Sequence, residues 1–260
     1  MSSNVLIPAD VVVKLVAALD KFPFPSNSVS MQNFRMNQSQ GAAGVSVGLG
    51  RNFFTQKHPV VNRFARLDVT NEVIKLLLPY IKTPFSNIQI NKNFPGRLHV
   101  DKNNIGLSTM ITVGKGCEGG ALWIYGRLHP TLNRSITFDG HKPHMTLPYT
   151  GTRYSLVFFS HNHVTQAPPA TLRELKSFGF NVKRLEKDPP GGGDVLDRAR
   201  QLALQQIRNG MMDNVMRDRV GGVPHRRRVP VPVRLLSGGC PRRSGTTTPI
   251  GGAGTPRGGT

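Results

Sequence analysis

The feature that most constrains the fold of this chain is a series of short apolar runs between Phe85 and about residue 165. The runs are rich in Ile, Val, Thr and Phe, and Gly, Asn or Pro separates one from the next. They read SNIQINKN, RLHVD, STMITVG, GALWIYG, RSITFD and TRYSLVFFS. Such regular spacing is typical of an antiparallel barrel or jelly roll. We therefore predict a mainly β fold.

Segments before and after this series predict helices that flank the barrel. Capping residues, periodic apolar positions and Pro or Gly stops mark their ends. The predicted elements are a helix from Pro8–Asp10 to Leu19 or Asp20, a polar loop over 26–43, a strand in GVSVGLGR, a helix over 72–81 capped by Thr70-Asn71 and distorted at Pro79, and a helix in TLRELKSFGF.

A change of composition near residue 188 predicts the end of the folded body. DPPGGGD at 188–194 has the character of a linker, so we expect a domain over 1–187 with its barrel core at about 85–165. A helical period then predicts a short helix over 194–208. Residues 220–260 are mainly Gly, Pro, Thr and Arg, which predicts a disordered basic tail. We expect the chain beyond 188 to take no part in chemistry or in barrel stability.

The charge of the chain favours a polyanionic partner. The formal net charge is +20, and twelve Arg against two acids lie between Arg198 and the end. Such a balance suits DNA or RNA, or a membrane surface. We see no signal peptide and no membrane span, and the two cysteines, Cys117 and Cys240, cannot build a disulfide framework. We expect an intracellular protein, nuclear or cytoplasmic, without a membrane partner and with no indicated oligomeric state.

Two histidines and an aspartate have the pattern of a metal triad. His99 and Asp101 share one face of a strand, and His144 precedes the strand TRYSLVFFS, from which it can close the site across the barrel. Two imidazoles and one carboxylate suit Fe(II) and leave positions for 2-oxoglutarate and dioxygen. His141 is the rival for the third ligand. We prefer His144 because the next strand, TRYSLVFFS, begins soon after it.

Arg153 and its neighbours predict the co-substrate site. Arg153 stands nine residues after His144, and its planar fork suits a carboxylate in a way that Lys does not. Ser155 shares its strand face and adds a hydroxyl. Asn91, like Asn93, either reaches the co-substrate or the substrate, or braces a turn. No residue is assigned to the substrate itself.

Three other side chains receive ordinary structural interpretations. His161 and His163 share a face, but no carboxylate stands near them in sequence, so we interpret both as polar loop histidines. Trp123, in the apolar run GGALWIY, is interpreted as a core residue rather than a platform for substrate.

Two longer strings resemble a known family. LHVDKNNIGLSTMITVGKGCEGGALWIY, together with FDGHKPHMTLPYTGTRYSLVFFS, looks like the double-stranded β-helix core of Fe(II)/2-oxoglutarate-dependent dioxygenases. The resemblance covers roughly residues 40–165. The H-x-D…H…R-x-S set supports the resemblance to the superfamily. The strings DKNN-x-G-x-S and GG-x-LW resemble those of TET/JBP-like members, including the algal, protist and fungal expansions.

The resemblance implies a site and a reaction. Iron would lie at His99, Asp101 and His144, and 2-oxoglutarate at Arg153, with ascorbate as an optional reductant. The implied reaction is hydroxylation of a C–H bond, in TET/JBP-like members that of the methyl group of a modified base in DNA. The alternatives are a protein hydroxylase of the prolyl type and a catalytically degenerate, basic nucleic-acid-binding protein.

Overall fold

The structure is a computed structural model, and it describes residues 4–25, 42–50, 58–183, 194–212 and 220. Residues 1–222 form one compact unit and 223–260 a second, and only the first contains described residues. The predicted linker up to residue 193, nearly all of the predicted polar loop and the predicted disordered tail apart from Val220 lie outside the described residues.

In the described part of the chain, ten antiparallel strands form two sheets. In chain order they are β1 (Asn4–Leu6), β2 (Ala43–Gly50), β3 (Val60–Val61), β4 (Asn87–Lys92), β5 (Asn104–Gly119), β6 (Leu122–Ile124), β7 (Arg127–His129), β8 (Arg134–Asp139), β9 (His144–Thr146) and β10 (Tyr149–His161). The larger sheet has the order β1-β8-β5-β10-β4-β2-β3, and the smaller one β7-β6-β9. The fold is mainly β with flanking helices and is consistent with a jelly roll, as the spacing of the apolar runs predicts.

Among the described residues, four helices accompany the sheets: α1 (Ala9–Asp20), α2 (Asp68–Leu77), α3 (Pro169–Ser177) and α4 (Asp194–Arg208). Short 3₁₀ turns occur at Arg63–Arg66, Leu78–Tyr80 and Asn162–Thr165. None of the helices in the described part of the chain combines the length and apolar character needed to cross a membrane.

The second helix begins earlier than the sequence predicts. Thr70 lies inside α2 and does not cap it, because its buried hydroxyl donates to the carbonyl of Phe64, 2.7 Å away. The helix ends at Leu77, and Pro79 lies in the 3₁₀ turn that follows. The Thr70-Asn71 cap is therefore wrong, while the distortion at Pro79 is confirmed.

Alternation along the central strands divides the larger sheet into two faces. On β10, Tyr154, Leu156 and Phe158 are fully buried in the core that α1 and α2 cover. Arg153 and Ser155 point the other way, toward the smaller sheet, since successive side chains of a strand alternate. The outer face of the larger sheet thus stabilises the fold, and its inner face is free to carry polar groups.

Helix α4 covers the outer face of the smaller sheet. Trp123 and Met145 are fully buried there against apolar side chains of α4, among them Ala199 and Ala203. The indole Nε1 of Trp123 donates to Oε1 of Gln206 at 2.7 Å. The short helix predicted over 194–208 is present, and Trp123 is a core residue as expected.

Candidate metal centre and its cavity

His99 and His144 meet across an isolated antiparallel bridge. The backbone N–H of His99 donates to the carbonyl of His144 at 3.1 Å, and the reverse bond is 3.0 Å long. This pair extends the smaller sheet beyond β9. The RLHVD run is therefore a single bridge rather than the full strand that the sequence predicts. Asp101 follows, held by its own N–H to the carbonyl of Gly140 at 2.8 Å.

The three side chains converge on one point. One ligand atom from each of His99, Asp101 and His144 lies within 4.8 Å of the others. Nε2 of His99 is 3.4 Å from Oδ1 of Asp101, and Nε2 of His144 is 3.8 Å from Oδ2. The structure brings together the three residues that the sequence singled out.

Backbone carbonyls orient both imidazoles toward this point. Nδ1 of His99 lies 2.6 Å from the carbonyl oxygen of Arg97, and Nδ1 of His144 lies 2.8 Å from that of Lys142. A carbonyl only accepts hydrogen bonds, so each Nδ1 carries the proton. In the neutral ring, Nε2 then presents its lone pair to the centre. Such outer partners are what fix the tautomer and orientation of metal-binding histidines.

The Asp101 carboxylate is also bordered by two residues to which the sequence assigns no role. Nδ2 of Asn104 donates to Oδ2 of Asp101 at 3.0 Å. A Cβ added to Gly140 would lie 3.0 Å from the same oxygen, so a larger residue there would crowd the carboxylate. The only sequence signal was that Asn104 stands three residues after Asp101.

The pKa values of the centre reflect the burial of its side chains and the pairing of His99 with Asp101. Burial, with a smaller contribution from the charge of His99, lowers the pKa of His144 to about 4, so this ring is neutral at pH 7. Burial raises the pKa of Asp101, but its hydrogen bond with His99 and the charges of nearby histidines outweigh this, and the net pKa is lowered. Burial lowers the pKa of His99, and Asp101 more than compensates, so that pKa is raised.

His141 does not belong to the converging group. Its backbone N–H donates to Oδ1 of Asp139 at 3.0 Å, and its Nδ1 lies 3.2 Å from the same oxygen. Its ring therefore lies against Asp139, while His144 points to the centre. The geometry favours His144 as the third member of the triad.

A cavity of about 450 Å³ opens beside the triad, between the two sheets. Its wall contains the three triad residues and combines polar and aromatic side chains. Besides the triad it includes Gln89, Asn91, Phe94, Asn104, Phe138, Ser155, Phe159 and His161.

The predicted co-substrate residues divide between the cavity wall and the space behind it. Asn91 and Ser155 line the cavity, and Nδ2 of Asn91 donates to Oγ of Ser155 at 3.4 Å. Arg153 is buried on the same strand face but does not line the cavity. Its guanidinium donates to Oγ1 of Thr112 at 3.3 Å and to the carbonyl of Gly120 at 3.5 Å.

His161 does not lie in the loop that the sequence predicts. It ends β10 and lines the cavity, whereas His163 lies in the next 3₁₀ turn. Burial, followed by the charge of His163, lowers the pKa of His161 to about 4, so the ring is neutral at pH 7. Its spacing of two from Phe159, another wall residue, was the signal that could have placed it on the inner face.

No protein-family model and no curated protein matches this chain. Among solved structures, NgTET1 in complex with 5mC DNA is similar, with a TM-score of 0.40, 14% identity, and coverage of 68% of this chain and 80% of that chain. A 2OG-Fe(II) oxygenase-family oxidoreductase from Burkholderia pseudomallei has a TM-score of 0.41 and 15% identity, over 64% and 88%. A Trichoplax adhaerens prolyl hydroxylase with a hypoxia inducible factor peptide fragment has a TM-score of 0.39 and 14% identity, over 62% and 83%. All three likenesses are weak.

Proposed function

We propose that this protein is an Fe(II)- and 2-oxoglutarate-dependent dioxygenase that hydroxylates a C–H bond. One observation carries the proposal: His99, Asp101 and His144 present their ligand atoms to one point at the wall of a cavity. Two imidazoles and one carboxylate on one side of a metal are the ligand set of non-haem Fe(II) oxygenases, and they leave the opposite positions open.

The donor set fits iron, and the chain prepares each donor for it. His99 and His144 offer Nε2 because backbone carbonyls hold the proton on Nδ1. Asp101 offers a carboxylate steadied by Asn104. When bound, iron with 2-oxoglutarate would supply the oxidation of a substrate C–H bond by dioxygen. The protein contributes the orientation of the ligands and a partly closed cavity.

Arg153 and Ser155, with Asn91, would hold 2-oxoglutarate. Asn91 and Ser155 offer polar atoms on the cavity wall. Arg153 lies behind them on the same face and offers the planar fork that a carboxylate prefers. Asn91 and Ser155 line the cavity, and Ser155 shares a strand face with Arg153, so both would lie near a co-substrate whose carboxylate pairs with the guanidinium.

For the primary substrate we propose a methylated base in nucleic acid. The net charge of +20 suits a polyanion. The cavity volume of about 450 Å³ is in the range of small-molecule sites, and its wall pairs aromatic rings with hydrogen-bonding groups such as Asn104 and His161. A base turned out of its stack needs such a combination of stacking and polar contacts. We keep an intracellular location, nuclear or cytoplasmic, as a prediction.

Product analysis by mass tests this function. Pure protein is incubated with Fe(II), 2-oxoglutarate and ascorbate, together with methylated DNA, unmethylated DNA or a proline-containing peptide library, and His144→Ala serves as the inactive control. We expect a mass gain of one oxygen on methylated DNA alone, with more succinate formed there than in the other arms. Oxygen added to a peptide would favour the prolyl-type alternative. DNA binding with no iron-dependent succinate in any arm would favour the degenerate binding protein.

A further inference from the structure

We infer that Asn93 is a positioning residue that fixes Arg153 for the carboxylate of 2-oxoglutarate, an inference that rests on the function proposed above. Asn93 immediately follows β4, and Arg153 stands opposite it on β10, since the last regular pair of these strands is Lys92 with Tyr154. The two residues exchange two hydrogen bonds. The N–H of Asn93 donates to the carbonyl of Arg153 at 2.8 Å, and the N–H of Arg153 donates to Oδ1 of Asn93 at 2.9 Å.

The side chain of Asn93 takes the place of a backbone carbonyl. In a regular antiparallel pair of this kind, both residues give N–H and C=O to each other. Asn93 has a φ of 50°, in the left-handed region, which turns the chain out of the strand. The amide oxygen of its side chain supplies the acceptor that Arg153 needs, so the ladder is completed although the strand has ended.

Few residue types can both adopt the left-handed conformation and offer a side-chain acceptor. Gly adopts the left-handed conformation easily but has no acceptor, while Asn and Asp adopt it more readily than other residues and carry one. The turn at Asn93 also has a purpose in this fold. It leads directly to Phe94 and Gly96 on the cavity wall, and Gly96 accepts a hydrogen bond from the N–H of Thr146 at 2.9 Å. The chain can thus leave the larger sheet toward the segment that contains His99 and Asp101, while the N–H of Arg153 keeps its hydrogen bond.

The position of Arg153 allows little error. It is 1% exposed, and its guanidinium carbon lies 5.2 Å from the ring centre of Tyr149. A Cβ added to Gly120 would lie 2.9 Å from its Nε. If the Asn93 acceptor is removed, a buried N–H loses its partner, and the strand end must move to find another. Movement of the strand end displaces the guanidinium of Arg153, and the strength of its binding depends on alignment with a carboxylate.

Two substitutions at this position separate the acceptor from the turn. Asn93→Gly keeps the left-handed backbone and removes the acceptor, and Asn93→Asp keeps both. Asn133→Gly is the matched control, because Asn133 also has a positive φ, of 55°, and its Oδ1 has no hydrogen-bond partner among the described residues. We measure deuterium exchange at the Arg153 amide, the melting temperature, and kcat and KM for 2-oxoglutarate.

We expect Asn93→Gly to speed exchange at the Arg153 amide and to raise the KM for 2-oxoglutarate about fivefold or more, with kcat at saturation within about twofold. Asn93→Asp should restore both, and Asn133→Gly should change neither. Faster exchange with an unchanged KM would overturn the positioning role and would mean that Asn93 only stabilises the turn. Wild-type protein that neither binds nor turns over 2-oxoglutarate would overturn the proposed function as well, and the exchange data would still report the contact itself.

Discussion

At the scale of single residues, the planar fork of Arg153 should matter more than its charge. Replacing it by Lys keeps the charge but loses the second aligned donor. We expect Arg153→Lys to raise the KM for 2-oxoglutarate about tenfold or more, equivalent to about 1.4 kcal/mol. Arg134→Lys is the control, because Arg134 donates to Asn4 at the edge of the larger sheet, away from the cavity. A KM unchanged by Arg153→Lys would show that Arg153 does not hold the carboxylate.

Asp20 should make the stability of the protein depend on pH. Its carboxylate accepts from Lys115 and from the hydroxyl of Tyr154, and these bonds lower its pKa below the ordinary value of 3.8. A lowered pKa stabilises the folded state above pH 3.8, and this stabilisation is lost as the pH falls through the lowered value. We expect Asp20→Asn to lower the melting temperature at pH 7 and to have less effect at about pH 3. An equal loss at both values would contradict this account.

Residue types and spacing predicted the members of the candidate site, but not the contacts that hold it. His99, Asp101 and His144 could be selected because the type of a side chain determines whether it can bind a metal. The backbone bridge between the two histidines and the carbonyls that orient their rings depend on register, which spacing does not specify. The contact of Asn104 with Asp101 and the place of His161 on the cavity wall also follow from the packing of the two sheets rather than from local pattern.

At the scale of elements, alternation predicted the long strands and missed the shortest ones. The central strands β4, β5, β8 and β10 carry enough residues for a period of two to be visible. Strands β7 and β9 have three residues each, too few for any period to be visible, and both pair with β6. The early start of α2 was missed because a buried Thr in the first turn of a helix resembles a cap in sequence.

The contacts of α4 lead to a prediction that differs from the one based on composition. Sequence alone suggests that the barrel does not need residues beyond 187, yet α4 covers Trp123 and Met145. We now expect a chain cut at Asp188 to lose about 3 kcal/mol or more of stability, since a large apolar surface becomes exposed. Trp123 is the only tryptophan of the chain, so a red shift of its fluorescence reports the exposure.

A chain cut after Gly222, which retains α4, is the control for this change. It should keep the melting temperature and the fluorescence of the full chain. If the cut at Asp188 also leaves both unchanged, the domain boundary at 187 is supported and the packing of α4 contributes little to stability.

At the scale of the whole molecule, charge should act separately from chemistry. Residues 223–260 contain seven Arg and no acid. We propose that this segment adds salt-sensitive affinity for nucleic acid that does not depend on base sequence, because contacts with phosphates release condensed counterions. The cut after Gly222 should flatten the slope of log affinity against log salt by up to about 6, while 2-oxoglutarate turnover is retained. An unchanged slope would show that residues 223–260 do not contribute to nucleic-acid binding.

We propose that His99, Asp101 and His144 hold the iron on which turnover depends. This proposal is tested most directly by measuring succinate formed from 2-oxoglutarate against added Fe(II), in the wild type, His144→Ala and His141→Ala, with metal content and melting temperature measured on the same samples. We expect iron-dependent turnover in the wild type and in His141→Ala, and loss of both iron and turnover in folded His144→Ala. Turnover that survives in His144→Ala but is lost in His141→Ala would contradict the account.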